Sequence, residues 1–405
     1  MTVARAFAAI WTDRDLRLTA TLMVLQGAFA CSLGPYISIL AVRQFGLGDR
    51  GYAVVLLVST LVSVTAAVMA GIRADQTANR RSIALGSCWL MAAGCGLMTV
   101  TPTPVAFVLA HALILPMNTL FGQLFAQGRL AAARHDVPTR DGIQAIIRAL
   151  FAMPFVVVLP LWALAFSSGT PLIAIYPVSL ALALIMLILT WRFWPHAHAA
   201  TWEDRPSGLS LRQALREVAS PALTLRILAL GAVSAGGTAY WAIMGLALST
   251  PDGNGAATAA LYAGLVAGLE VPFMLAVPLI LPYFRRTTLI LIGTLIYTLQ
   301  LLGIPLLADN PALWLVLIPG AVGGALTLTL PIAYLQDALG HRPGTGAALM
   351  ALMKVAGDAM AAASFAIGTA LSGYVLAGVL AAVVTVVGAL VLVWVDRIRP
   401  GTQAG

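Results

Sequence analysis

Charge is what this sequence has least of. Asp, Glu, Lys and Arg make up 9% of its 405 residues, against about 25% in an ordinary soluble domain, and so few charges cannot cover a water-soluble surface. Cysteine is scarce too: Cys31, Cys88 and Cys95 each fall inside an apolar run, which leaves them as small hydrophobes rather than a disulfide framework or a zinc site. No set of His, Cys, Asp or Glu has metal-ligand spacing, and no nucleophile stands beside a base in a known motif. The sequence therefore points away from an enzyme and implies no metal and no cofactor.

What is present is apolar: 60% of the chain. A bilayer core of roughly 30 Å takes ~20 apolar residues per helix, so a chain of this length holds about twelve spans. They are expected near 16–40, 52–72, 82–101, 104–128, 142–166, 171–193, 223–249, 258–281, 287–308, 311–335, 344–369 and 371–394. The first fifteen residues carry Arg5, Asp13, Arg14 and Asp15 ahead of an apolar run long enough to span and stay, so no cleavable signal peptide is expected.

A formal charge of +8 raises the question of a nucleic-acid partner, and the placement of the basic residues answers it. All but Arg43, Arg50, Arg148 and Lys354 lie on the termini, on even-numbered loops or at the helix ends that adjoin them. By the positive-inside rule those segments are cytoplasmic and so are both termini. The expected partners are the lipid bilayer and a small-molecule substrate, with no nucleic acid, and a monomer is the expected working form.

The longest polar stretch divides the spans six and six, giving a bundle at 1–193, a cytoplasmic linker at 194–222 and a second bundle at 223–405. Within the linker, residues 208–219 set Leu211, Leu215 and Val218 against Arg212, Arg216 and Glu217, the pattern of a helix lying on a membrane surface. The halves also resemble each other: span five carries Arg148 and span eleven carries Lys354 at comparable depth, as a parallel two-fold repeat would give.

An ionised group in hydrocarbon costs at least ~2.5–3.5 kcal/mol on insertion scales, so each one calls for a reason. Glu270 sits near mid-helix in span eight, followed by Pro272. An apolar setting disfavours its charged form, so it is the first candidate for proton coupling; the alternative is a permanently paired or protonated structural carboxylate. Lys354 and Asp358 are four apart on one face of span eleven and can neutralise each other, or be separated by substrate or a proton. Arg148 has no acid in its own helix and either meets substrate or snorkels toward the surface. His111 in span four is a weaker member of the set.

Uncharged polar groups collect in the same helices: Gln26, Ser32, Ser38, Asn118, Gln123, Gln127, Tyr240, Trp241 and Gln300. Amides beside aromatic faces suit a polyhydroxylated ligand, and equally they can join helices by hydrogen bonds. The loop after span two, Gly71 to Arg81, places Asp75 five and six residues before Arg80 and Arg81, a spacing that can form a charge latch on the cytoplasmic side.

That loop resembles the G-x-x-x-D-R-x-G-R-R signature of the major facilitator superfamily: Gly71, Asp75 and Arg80 match, while Gln76, Ala78 and Asn79 depart. Three further stretches resemble the bacterial sugar efflux transporter family within it. Gly268-Leu269-Glu270-Val271-Pro272 with Met274 is similar to that family's G-L-E-I-P-x-M-L. Tyr334-Leu335-Gln336-Asp337 with His341-Arg342-Pro343-Gly344 and later Lys354 is similar to its Y-F-Q-D-L-x-P-G stretch and basic residue of span eleven. Gln123-Leu124-Phe125-Ala126 with Arg129, then Arg148, is similar to its Q-M-F-A-x-x-R and F-L-R-A. The family's Thr-Thr pair is replaced here by Ala348 and Leu349.

The resemblance implies an all-α membrane protein of twelve transmembrane helices, with the major facilitator fold of two six-helix bundles related by pseudo-two-fold symmetry. It implies export of sugars or sugar-like molecules across a bacterial inner membrane by proton antiport, the proton gradient standing where a cofactor would. Another organic-solute or multidrug exporter of the same superfamily is the alternative. Glu270, with Asp358 in reserve, would couple protons; Arg148, Lys354, Gln26, Asn118, Gln123, Tyr240 and Trp241 would bind substrate; Asp75, Arg80 and Arg81 would form the cytoplasmic gate. A latch acts on turnover rather than affinity, so Asp75→Asn is expected to slow solute exchange several-fold in vesicles while leaving substrate binding nearly unchanged. Equal exchange rates for variant and parent would remove the latch.

Overall fold

A computed structural model of the chain describes residues 2–77, 79–195, 221–249, 255–339 and 343–398. These residues are helical almost throughout. The linker helix expected at 208–219 and the His341-Arg342 pair lie outside the described residues.

Eleven helices among the described residues are long and apolar enough to cross a membrane. The helix Pro343–Leu371 is a further long one, and the charges of Lys354 and Asp358 near its middle lower its hydropathy. Helix starts follow local chemistry. Asp13 accepts hydrogen bonds from the backbone N–H groups of Asp15 and Leu16 and begins Arg14–Leu33. Asn79 caps Arg80–Val100 through Ser82 N, and Thr103 with Pro104 begins Pro104–Val108. Each cap satisfies N–H groups that have no intrahelical acceptor.

Two spans are not continuous α-helix. Span one passes from Arg14–Leu33 through a 3-10 turn at Gly34–Tyr36 to a π-helical end at Leu40–Gln44. Span four is π-helical over Leu109–Ile114 and 3-10 over Leu115–Met117; it restarts as α-helix at Leu120–Ala132. Pro116 lacks an N–H to continue the helical ladder. Asn118 is extended there and accepts the Leu120 N–H at its own Oδ1, 2.8 Å away.

The described residues fall into two compact units, one from within 1–34 and 65–208, the other from within 35–64 and 209–405. In the first, Arg14–Leu33 packs on Val137–Ser167, where Gly27 lies against the Phe151 carbonyl. In the second, Pro221–Ala247 packs on Pro343–Leu371 and Tyr374–Ile398. Gly231 faces Gly357, and Gly388 lies on the Ala229 carbonyl, so these backbones nearly touch. Small residues at such crossings let dispersion contacts hold helices together where lipid supplies no hydrophobic drive.

Gly323 shows how little slack remains: a Cβ there would lie 2.6 Å from Tyr297 N and 2.7 Å from Tyr297 Cα. Gly323→Ala is therefore expected to destabilise the fold by about 1–3 kcal/mol, the usual cost of overpacking, seen as earlier thermal unfolding in detergent. Unfolding at the parent temperature would contradict this packing.

Candidate functional site

The second unit holds both intramembrane acids, and their surroundings differ. Asp358 is 8% exposed and surrounded by donors. Its Oδ1 accepts from the Thr238 hydroxyl at 2.6 Å, and its Oδ2 accepts from Lys354 Nζ at 2.6 Å and from the Thr60 hydroxyl at 3.3 Å. The i,i+4 pair expected from the sequence is formed, and it is embedded in a wider arrangement joining three helices. The close approach of Gly231 and Gly357 is what brings Thr238 within reach of Asp358. The Lys354 side chain is 57% exposed, so its ammonium is anchored on one side and open on the other.

Glu270, on Ala256–Ile280, has no hydrogen bond or ion pair among the described residues. It is half-buried, and its carboxylate lies directly over Gly324, whose missing side chain makes the room. Gly323, next in the chain, backs onto Tyr297, so the carboxylate and that tyrosine abut the same turn of Leu317–Leu339. The Tyr240 and Tyr297 rings lie 6.5 Å apart, and Trp241 meets Tyr240 at 4.9 Å. The Tyr240 hydroxyl is buried without a hydrogen-bond partner among the described residues. Nearby, Gln300 is fully buried against Gly320, with neither amide atom geometrically paired.

The first unit holds the remaining expected binding residues. Arg148 lies over the Phe125 ring, 5.8 Å from its centroid; the partner sought elsewhere in the chain is an aromatic face, and Phe121, Phe125 and Phe151 form the ring cluster around it. The side-chain oxygens of Gln26 and Gln123, and both amide atoms of Gln127, are buried without partners among the described residues. Buried amides left open in this way cost about 1–3 kcal/mol each unless water or a ligand completes them. Asn118 sits at the break in span four. His111 pairs with the Tyr176 hydroxyl at 2.9 Å and packs on Phe107, which ties it into the helix interface.

Of the expected gate, Arg81 donates to the Trp191 carbonyl at 2.7 Å, and Arg80 opens its helix. The Asp75 side chain lies outside the described residues. Tyr334, from the motif in span ten, donates to Asp396 at 2.5 Å, and Arg226 stands 3.6 Å from the same carboxylate. Thr60, Thr238 and Tyr297 went unread in the sequence, because a threonine or tyrosine in an apolar helix carries the same signal as ordinary packing.

Removing a buried hydroxyl that has no protein partner removes a desolvation cost. Tyr240→Phe is therefore expected to leave thermal unfolding in detergent unchanged or slightly raised. A clear loss of stability would show that the hydroxyl is held by a protein partner.

The chain matches no protein-family model, and no curated protein is significantly similar to it. Solved structures are similar in fold. The nucleoside transporter NupG superposes with a TM-score of 0.70 at 15% identity, covering 94% of this chain and 99% of that one. A D-xylose-proton symporter gives 0.69 at 14% identity, over 96% and 98%, and the peptide transporter POT in complex with alafosfalin gives 0.70 at 14%, over 95% and 96%. Likeness at this level establishes architecture: the chain is a multi-pass membrane protein, helical almost throughout its described residues, that shares its fold with these transporters.

Proposed function

We propose that the protein is a secondary active transporter that exports sugars or sugar-like small molecules from a bacterial cytoplasm by proton antiport. Twelve spans in two six-helix bundles, with both termini cytoplasmic, are part of this reading, and no catalytic chemistry is. The observation that carries it is the contrast between the two acids of the second unit. Asp358 has each oxygen occupied by donors, whereas Glu270 has no donor and no cation among the described residues. A carboxylate kept in an apolar setting without a partner is a seat for a mobile proton. Glu270 is the coupling group in this reading, and Asp358 is bound up in structure.

The substrate class rests on the chemistry of the open groups. Gln26, Gln123, Gln127 and Tyr240 present unpaired donors and acceptors, Arg148 and Lys354 offer further N–H groups, and aromatic rings flank both sets. A small molecule bearing hydroxyls and apolar C–H faces suits the chemistry of either set. Structural likeness to a D-xylose-proton symporter supports secondary transport on this scaffold; the direction of export is our proposal and rests on the sugar-efflux resemblance. A second reading, export of drug-like organic solutes, draws on the aromatic set Tyr240, Trp241 and Tyr297 beside an acid, which suits organic cations.

The experiment is uptake of a radiolabelled sugar panel into inverted proteoliposomes with and without an imposed pH gradient. Accumulation driven by the gradient is expected for the parent protein. Glu270→Gln is expected to lose at least tenfold of that accumulation while retaining downhill solute movement. Undiminished gradient-driven accumulation by the variant would contradict the coupling role, and selective protection against cationic dyes would favour the second reading.

A further inference from the structure

Threonine and serine hydroxyls inside this chain's helices characteristically turn back to their own backbone. Thr19, Ser234, Thr294, Thr329, Ser364 and Thr369 each donate to the carbonyl four residues earlier. Thr60 and Thr238 do not: both reach across to Asp358. Thr60 is 5% exposed and Asp358 8%, so both hydroxyls meet the carboxylate away from bulk water; the Thr238 bond, at 2.6 Å, is the short, charge-assisted one, and the Thr60 contact, at 3.3 Å, is the longer and more easily opened.

Thr60 also belongs to a distinctive piece of chain. Residues 35–64 form one compact unit with residues of the second half of the sequence, and within that unit they are held at several points. Gly245 admits the Pro35 carbonyl and Ser38, which a Cβ would meet at 2.9 and 2.6 Å. Tyr374 donates to Asp49 at 3.1 Å, and Tyr52 meets the edge of the Phe365 ring at 5.5 Å between centroids. Thr60 is eleven residues beyond Asp49, roughly 16 Å along the helix, so its bond to Asp358 is the deepest of these attachments and the one made to an intramembrane charge.

We propose that Thr60, Thr238 and Asp358 are positioning residues of the transport step: a clasp of two hydroxyls on one carboxylate that holds segment 35–64 in place and orients the Lys354 ammonium toward solute. The Thr60 arm opens when the segment moves. Thr238 keeps Asp358 oriented meanwhile, so the Lys354 pair survives the opening. The proposal rests on the protein being a transporter, but its primary test does not depend on transport.

The test uses the full chain with Cys31, Cys88 and Cys95 replaced by alanine and with cysteines at positions 49 and 374, which are half-buried and in contact, joined by a short bifunctional maleimide. Crosslinking rate reports how often the segment is docked. Thr60→Val is expected to lower that rate by roughly threefold to tenfold, the size of one ordinary hydrogen bond, and Thr60→Ser to restore it. In transport assays the same Thr60→Val change is expected to alter turnover while leaving KM within about twofold. Should Thr60→Val fail to fold, Thr238→Val reads the other arm and is expected to lower the rate in the same direction. Crosslinking at the parent rate in the folded valine variant, or failure of serine to restore it, overturns the clasp. A clasp that responds as expected in a protein that moves no sugar leaves the clasp standing and removes the transport reading instead.

Discussion

Every feature of this molecule answers to one constraint: inside hydrocarbon a polar group must find its partner within the protein. Asp358 finds three, and one of them, the Thr238 hydroxyl, reaches the carboxylate between two helices that Gly231 and Gly357 let approach closely. A larger residue at either glycine would separate the helices and take that hydroxyl from the carboxylate, at a cost of about 1–3 kcal/mol. The small-residue crossings and the charged centre are thus one structure seen at two scales.

Against that background, the groups left without partners acquire meaning. Gln26, Gln123, Gln127 and Tyr240 retain open hydrogen-bonding capacity in buried positions, and Glu270 rests on a bare glycine with no donor among the described residues. Solute and proton supply the missing half of these interactions in our reading.

The sequence disclosed the spans well because apolar run length is a strong signal. The expected 223–249 became a helix at Pro221–Ala247, and 287–308 became Arg286–Leu306. It did not disclose the π-helical stretches of spans one and four, since a one-residue change in hydrogen-bond register leaves no mark on hydropathy; Pro116 hinted at the second. Lys354 and Asp358 were legible as a pair from spacing alone, whereas Thr60, two hundred and ninety-eight residues from Asp358, was not. Long-range partners of common residue types carry no local signature. Arg148 was readable as an intramembrane cation that meets substrate or snorkels, and the structure leaves it exposed; the Phe125 ring that faces it was indistinguishable from core.

The division of labour between the two acids is the central claim, and the sign of proton movement tests it most directly. Proteoliposomes loaded with a pH-sensitive dye and given a sugar gradient alone, with no pH gradient, report whether protons move with the sugar. Our account expects protons to run opposite to the sugar, and expects that movement to vanish when Glu270 is glutamine. Sugar movement without any accompanying proton movement, or with protons travelling in the same direction, would contradict it.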